Sequence, residues 1–447
     1  MISTSRSFTV AVFFAALLPR LYVAIAWARE PVWDGHYYHI GARSIAAGLG
    51  YVGTSGGAWC HYPVGYSALL GFAYAIAGAG LYVGTVFNAL TGAFLAALVY
   101  RLARYATSEW RARAAGLVCA FYPGLVIYAA ALMTEPVAAL ALVAAALAAV
   151  ARPGRSRVGR SGVVLAGVLL GLGTLVRPQS ILCAPALAFC GRERGWRRFA
   201  VATGIALVVV APWTIRNCIV MDGCAFVSTN GGWNLAIGSF PRATGRFAML
   251  RGSDGCRVVT GQVQQDRCWF EHGVSWIADD PRRWLGLVPD KLGFTFDHES
   301  FPVGYVAEAD RDRWSPERRT LGRGVLSWSH RALLALAVIG LLPKPSRKRP
   351  LSLLPLLFVF VMVWIGAMTE SAVFWPVALA IPVIVALRFR HFMQEGGVVI
   401  FAAVSVLTLA LTHAVFFGED RYHLVVTPFL CVLAARAFGN ERRALEV

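Results

Sequence analysis

Apolar residues in this 447-residue chain are gathered into long runs, not into the alternating or one-faced patterns of soluble strands and helices. A membrane-spanning helix needs about 20 mostly apolar residues, within a range of about 17–25. Twelve runs meet or approach that length: Phe8–Ala28, Leu81–Tyr100, Ala114–Met133, Val137–Val150, Gly162–Val176, Ile181–Cys190 with its flanks, Phe199–Ile215, Val325–Leu342, Leu351–Met368, Ala372–Leu387, Val398–Phe417 and Leu424–Ala437. The first is interrupted only by Pro19 and Arg20 and ends in Ala26-Trp27-Ala28, which resembles a signal-peptidase site. Its apolar stretch is long for a signal sequence and only Arg6 precedes it, so a retained span is expected. A further run, Val64–Gly78, makes about 22 Å of helix at about 1.5 Å per residue. Counted as a span it would invert every later loop, so it is expected to lie in or dip into the interface.

The polar intervals test this threading. Arg101–Arg113, Arg152–Arg160, Arg192–Arg198, Lys344–Arg349, the pair Arg388 and Arg390, and the pair Arg442 and Arg443 are all basic. They fall on one side if the amino terminus is cytoplasmic, as the positive-inside rule requires. Glu30–Tyr62, Thr134–Pro136, Arg177–Pro178, Cys218–Gly324 and Gly418–His423 fall on the other. The predicted fold is an all-α polytopic membrane protein with both termini cytoplasmic, about twelve transmembrane helices, juxtamembrane helices on the outer face and a small outer domain.

Composition agrees: 57% of residues are hydrophobic and only 15% charged, too few charges to cover a soluble protein of this size. The net charge of +18 does not point to nucleic acid. Of the 24 acidic residues, 13 lie between Cys218 and Val325 beside 13 Lys and Arg, so the basic excess belongs to the short loops. The outer segment Cys218–Gly324 has turn punctuation at Asn230-Gly-Gly and a candidate helix at Ser275–Leu292. Cys119, Cys183, Cys190 and Cys431 sit in predicted spans as small apolar residues. Cys60, Cys218, Cys224, Cys256 and Cys268 lie outside, where Cys256–Cys268 and Cys218–Cys224 are candidate disulfides.

Ionisable residues in a membrane protein are functional candidates by default. Here Asp34, Glu135, Arg177, Arg216 and Arg421 all mark outer helix ends. Together they would offer two carboxylates and three guanidiniums at the membrane boundary. Arginine recognises phosphate with a planar, permanently charged fork and stabilises it as a leaving group. A carboxylate at the same depth orients or deprotonates an acceptor hydroxyl. Each residue also has an ordinary role open to it. Asp34 and Glu135 could cap helix N-termini, and Arg177 and Arg216 could snorkel to headgroups. His36 and His39 share a helix face and, with Asp34 or His61, offer donors to a divalent metal. Surface or hydrogen-bonding histidines are far commoner, so no metal or other cofactor is expected.

The order of these pieces resembles the GT-C superfamily of polyprenyl-phosphate-sugar-dependent glycosyltransferases, in particular bacterial relatives of protein O-mannosyltransferases and the lipid A aminoarabinose transferase. Pro31-Val-Trp-Asp34-Gly-His-Tyr-Tyr38, continuing through Arg43 to Tyr51, looks like their first outer loop. His61-Tyr62-Pro63-Val-Gly65-Tyr66 looks like the basic–Pro segment before an outer helix. Met133-Thr-Glu135-Pro136 resembles the acidic–Pro step, and Leu175-Val-Arg177-Pro178-Gln179 the Arg–Pro step. Pro212-Trp-Thr-Ile-Arg216-Asn217, followed by Asn230-Gly-Gly-Trp-Asn234, looks like the exit from the seventh helix, and Arg421-Tyr422 like an Arg-Tyr before the last span. This chain departs from the pattern in having Asp34-Gly35 where many relatives carry two acids, and His61 where relatives carry Lys or Arg.

The resemblance implies a seven-span catalytic module over residues 1–217, with its first outer loop at 29–80. A periplasmic segment at 218–324 and a five-span region at 325–447 follow. It implies transfer of a sugar from a polyprenyl-phosphate donor, in a bacterial inner membrane, to a glycan, lipid or protein acceptor on the periplasmic face. Asp34 would activate the acceptor and Glu135 support it. Arg177, Arg216, Arg421 and His61 would hold the donor phosphate, and Tyr38, Arg43, Tyr62, Asn217, Asn230 and Asn234 would contact substrate. A transporter or lipid flippase is the rival expectation, but transporters place coupling groups near the midplane, where these spans are Ala, Val and Leu. A lipid-linked oligosaccharide polymerase or ligase is a second rival that the sequence does not separate.

Overall fold

The computed structural model describes residues 2–150, 157–190, 195–257, 259–297, 299–343, 354–368 and 373–438. The basic residues expected at Arg152, Arg155, Arg192, Arg194, Lys344–Arg349, Arg442 and Arg443 lie outside them. Among the described residues no strand forms, and only an isolated antiparallel bridge joins Val52 to Ala58. The helices are α1 Ile2–Ala26, α2 Trp33–Ala46, α3 Val64–Ala77, α4 Leu81–Ala103, α5 Glu109–Phe121, α6 Pro123–Ile127, α7 Glu135–Val150, α8 Arg157–Val176, α9 Gly195–Val220 and α10 Gly231–Ser239. They continue as α11 Gln262–Asp279, α12 Pro281–Gly286, α13 Val288–Phe296, α14 Phe301–Ala309, α15 Pro316–Ile339, α16 Leu354–Met368, α17 Trp375–Leu387, α18 Phe389–Gln394, α19 Val398–Val415 and α20 Thr427–Ala434.

This is a multi-pass membrane protein. Four helices among the described residues, Ser5–Ala26, α4, α9 and α19, are long and apolar enough to span alone, and α5 with Pro123–Ala130 forms a fifth candidate bent by 47°. Shorter apolar helices, α3 and α7 among them, pack between these. One face of α1, with Phe14, Leu18 and Ile25, is exposed although apolar, while Val12, Ala16, Arg20 and Val23 on the other are buried. Such an inside-out face suits lipid, which needs no polar covering.

The bend after α5 explains the polar interruption in the first span. Pro123 has no N–H to return to Cys119 O four residues earlier, so the ladder breaks there. Arg20 fills the gap, donating to Ala120 O at 2.5 Å and Cys119 O at 3.0 Å while fully buried. Buried without a donor, each of those carbonyls would cost about 1–3 kcal/mol. Gly92 makes the room, since a Cβ there would stand 2.4 Å from Arg20 Nε.

The segment between α9 and α15 is helical rather than loop-like. Asn230-Gly-Gly is the entrance to α10, where Asp266 Oδ1 accepts from the Gly232 and Trp233 amides at 2.8 and 3.2 Å. Asp222 accepts from Val263 and Gln264 at the start of α11 in the same way. These carboxylates satisfy amides that a first helical turn leaves free. The expected helix at Ser275–Leu292 is instead the end of α11, α12 and most of α13, divided by Pro281 and Pro289 at helix starts. Both candidate disulfides form, Cys218–Cys224 and Cys256–Cys268, and Cys60, Cys119, Cys183, Cys190 and Cys431 are buried free thiols. Lys291 Nζ reaches the terminal carbonyls of α19 at Ala414 and Val415, tying this segment to the membrane helices.

Candidate active site

Helix ends that are remote in sequence converge on the ring of Tyr422. Glu135 is the first residue of α7, and its side chain is fully buried against Arg177, with Nη1 to Oε1 at 2.6 Å. Arg177 ends the extended step between α8 and a 3₁₀ helix begun by Pro178. It also donates to Thr134 Oγ1 at 3.1 Å, and to the Gln179 side-chain oxygen at 3.0 and 3.1 Å with that amide turned towards it. Its guanidinium lies 5.0 Å from the Tyr422 ring centre.

A second pair approaches the same ring. Arg421, in the 3₁₀ helix Asp420–Val425 before α20, contacts Asp34 Oδ2 at 2.5 Å and Glu419 Oε2 at 2.7 Å. Its guanidinium is 5.1 Å from the Tyr422 ring and 4.6 Å from that of Phe301. Asp34 accepts a further bond at 2.8 Å from the Tyr62 hydroxyl. It lies in the first turn of α2 but makes no cap, because Val32 holds the cap position. Both of its oxygens are given to the cluster. Trp33, just before it, has φ +50°, a strained value for a bulky residue, with its ring against Phe301 and Tyr305.

Electrostatics divide the carboxylates outside the spans. Burial alone would raise Asp34, but Arg421 and the Tyr62 hydroxyl hold it below its ordinary value. Glu419 goes the other way, pushed by burial up to about 7 although Arg421 pulls against it. Burial lowers His61, while the charge of Asp34 opposes that shift.

Of the expected residues, Asp34, Glu135, Arg177, Arg421, Tyr38 and Tyr62 share this neighbourhood. Tyr38 is buried, with its ring against Tyr62 and Tyr66. His61 lies beside Tyr62 and Trp233. Arg216 is engaged elsewhere, donating to Trp59 O at 2.9 Å and Tyr51 O at 3.1 Å and lying over Trp213, so it fastens the first loop to the end of α9. Asn217 is buried and donates to Ala225 and Val227 carbonyls. Asn230 accepts from Ser228 and Asn234 lies one turn on in α10, while Arg43 is exposed at the end of α2. His39 bonds the Tyr74 hydroxyl at 2.8 Å.

Sequence reasoning missed Glu419, Tyr422 as the shared platform, and Phe301. Glu419-Asp420-Arg421 is a dense charge cluster in a loop between apolar runs, and that was the available signal. The absence of a second acid beside Asp34 also has a cause. Gly35 is buried, and a Cβ there would stand 2.3 Å from the Tyr305 hydroxyl and 3.2 Å from Leu132 O.

Residues 61–215 match the family model of the dolichyl-phosphate-mannose-protein mannosyltransferases. No curated protein matches the chain. Among solved structures it is similar to the archaeal oligosaccharyltransferase AglB from Archaeoglobus fulgidus, in complex with an inhibitory peptide and a dolichol-phosphate. There the identity is 14% and the TM-score 0.49, over 97% of this chain and 50% of that one. It is also similar to ArnT from Cupriavidus metallidurans bound to undecaprenyl phosphate, at 18% identity and TM-score 0.41, over 93% and 77% of the two chains. The chain thus spans about half the length of the archaeal enzyme.

Proposed function

We propose that this chain is a glycosyltransferase of the GT-C kind, transferring a sugar from a polyprenyl-phosphate donor to an acceptor on the periplasmic face of a bacterial inner membrane; the match of residues 61–215 to the mannosyltransferase family model supports this reading. The observation that carries this reading is the pair of arginines facing one tyrosine ring, each matched to a carboxylate, at helix ends where a lipid phosphate meets water.

In this mechanism Arg421 and Arg177 neutralise the donor phosphate. The acceptor hydroxyl oxygen bonds to the anomeric carbon as the bond from that carbon to the phosphate oxygen breaks. The polyprenyl phosphate leaves with the electron pair, and the hydroxyl proton passes to Asp34. With no donor bound, Arg421 occupies Asp34 and the carboxylate is a weak base. A phosphate that draws Arg421 away restores its basicity, so the base becomes competent only with the donor in place. Glu135 holds Arg177 in register, and Arg216 keeps the first loop closed over the site.

Thermal unfolding of the detergent-solubilised protein with undecaprenyl phosphate, against undecaprenol, tests this. A ligand at 100 times its Kd stabilises by about 2.7 kcal/mol. Phosphate-dependent stabilisation that Arg421→Ala removes supports the reading. Equal shifts with both lipids, or none with either, would sink it and bring transport forward.

A further inference from the structure

Behind the Arg421 segment lies a second constellation that the transfer reading does not use. Glu299, which follows α13, His330 of α15 and His423 of the 3₁₀ helix before α20 are each 0–1% exposed. The ligand-capable nitrogen or oxygen atoms of the three lie within 4.8 Å of one another. His423 Nε2 is 2.9 Å from Glu299 Oε1, and His330 Nδ1 is 4.0 Å from the same oxygen.

The hydrogen bonds on the far sides of the rings fix what faces inward. His330 Nε2 is 2.9 Å from Phe296 O, and His423 Nδ1 is 2.9 Å from Thr295 O. A carbonyl oxygen only accepts, so each of these nitrogens carries the ring's hydrogen. In the neutral rings the other nitrogens are then bare lone pairs, at 2.9 Å (His423) and 4.0 Å (His330) from Glu299 Oε1, with the two rings 3.8 Å apart. Glu299 Oε2 and His330 Nδ1 have no hydrogen-bond partner and are fully buried. The Tyr122 hydroxyl reaches Glu299 Oε1 only at 3.5 Å.

Three buried acceptor groups facing one another call for a proton or a metal ion between them. One proton on His423 would satisfy its contact with Glu299, leaving His330 Nδ1 and Glu299 Oε2 bare. A metal ion satisfies all three groups. In tetrahedral zinc sites, metal–ligand distances of about 2.0–2.2 Å put neighbouring ligand atoms roughly 3.3–3.6 Å apart. The 2.9 and 4.0 Å separations here bracket that spacing. Ligating histidines also characteristically donate their other nitrogen to a carbonyl or carboxylate, as both do here. Asp420 is near enough for its charge to act on both Glu299 and His423, and so offsets the excess positive charge of such a site.

We propose that Glu299, His330 and His423 form a binding site for a divalent transition metal of the zinc class, with a fourth position left for water or the Tyr122 hydroxyl. The ion would clasp three elements: the link between α13 and α14, α15, and the 3₁₀ helix that presents Arg421 and Tyr422. Its role is structural, holding that helix against the bundle, and it is separate from the carboxylates around Arg421.

The test uses full-length protein purified in detergent, with any polyhistidine tag removed, and reads metal content by elemental mass spectrometry. The wild type is expected to carry about one zinc ion per chain. His330→Gln and His423→Gln should lose it, while the His36→Gln/His39→Gln double variant keeps it. Stripping the wild type with a chelator should lower Tm, and one equivalent of zinc chloride should restore it, with no response in His423→Gln. Cobalt(II) chloride added to stripped wild type should give the intense visible absorption of a tetrahedral site. Wild-type and cobalt measurements stand even if a variant fails to fold. Wild-type protein with no bound metal, no Tm response to zinc and no cobalt spectrum would overturn the proposal and leave a proton-bridged histidine–glutamate pair.

Discussion

Arg177 holds Glu135 at 2.6 Å in a position where the carboxylate side chain has no solvent exposure. Removing one partner of such a pair typically costs about 3–5 kcal/mol, because the other charge stays buried. Glu135→Ala should therefore lower stability by about that much in denaturant or thermal unfolding. Undecaprenyl phosphate should stabilise this variant more than the wild type, since its phosphate supplies the missing anion. Equal stabilisation of both proteins would remove Arg177 from the donor site.

Asp34→Asn separates binding from chemistry. It removes the proposed base and also frees Arg421 from its 2.5 Å contact. Transfer should fall by about 10²–10⁴, the usual loss for a general base. Donor binding, measured by thermal shift or calorimetry, should hold or tighten. Full transfer activity in a folded Asp34→Asn protein would show that the proton goes elsewhere.

Glu419 should impose a pH dependence on the donor. Its folded value of about 7 lies above the ordinary 4.5. The folded state therefore keeps a proton that the unfolded chain releases. This contribution to stability is complete below about 4.5 and is lost as pH rises through about 7. Below 7 the neutral Glu419 also competes less for Arg421. A polyprenyl-phosphate-sugar diester, with one charge throughout this range, should bind roughly threefold or more tighter at about pH 6 than at about pH 8. Glu419→Gln should bind equally at both. A slope that survives in Glu419→Gln would place the titrating group elsewhere.

How much of this was legible beforehand differs from residue to residue. The apolar runs gave the helical, multi-pass fold, and the polar helix ends gave Asp34, Glu135, Arg177 and Arg421, because charges in lipid-embedded chains gather at boundaries. What those residues touch was not legible. Arg216 looked like its neighbours in sequence, yet two backbone carbonyls of the first loop take its donors. Glu419 was hidden because carboxylate titration depends on burial, which a short loop does not advertise. His330 and His423 stand 93 residues apart on either side of α16, α17, α18 and α19, so no local spacing marks them as partners.

Arg20 offers a test of the fold that is independent of catalysis. Arg20→Met leaves the Cys119 and Ala120 carbonyls unpaired beside Pro123. Each orphaned buried group costs about 1–3 kcal/mol, so the variant should unfold well before the wild type. Arg20→Lys should rescue only part of the loss, because an ammonium lacks the fork that serves both carbonyls. Wild-type stability in Arg20→Met would mean that the bend is satisfied in another way.

Gly35 and Tyr305 should be energetically coupled. Gly35→Ala drives a methyl into the Tyr305 hydroxyl, and overpacking of this kind costs about 1–3 kcal/mol. Tyr305→Phe removes the obstructing oxygen and should recover at least half of that loss in a double-mutant cycle. Additive effects would show that the backbone relaxes around the new methyl.

Asp34 and Arg421 are 387 residues apart along the chain. At synthesis rates of about 5–20 residues per second, the carboxylate waits about 20–80 s for its arginine to leave the ribosome. During that interval the proposed donor site has at most one of its two arginines, Arg177, and Asp34 is without its ion-pair partner. On the proposed mechanism, a chain that has not yet added Arg421 would meet a donor phosphate with one guanidinium instead of two.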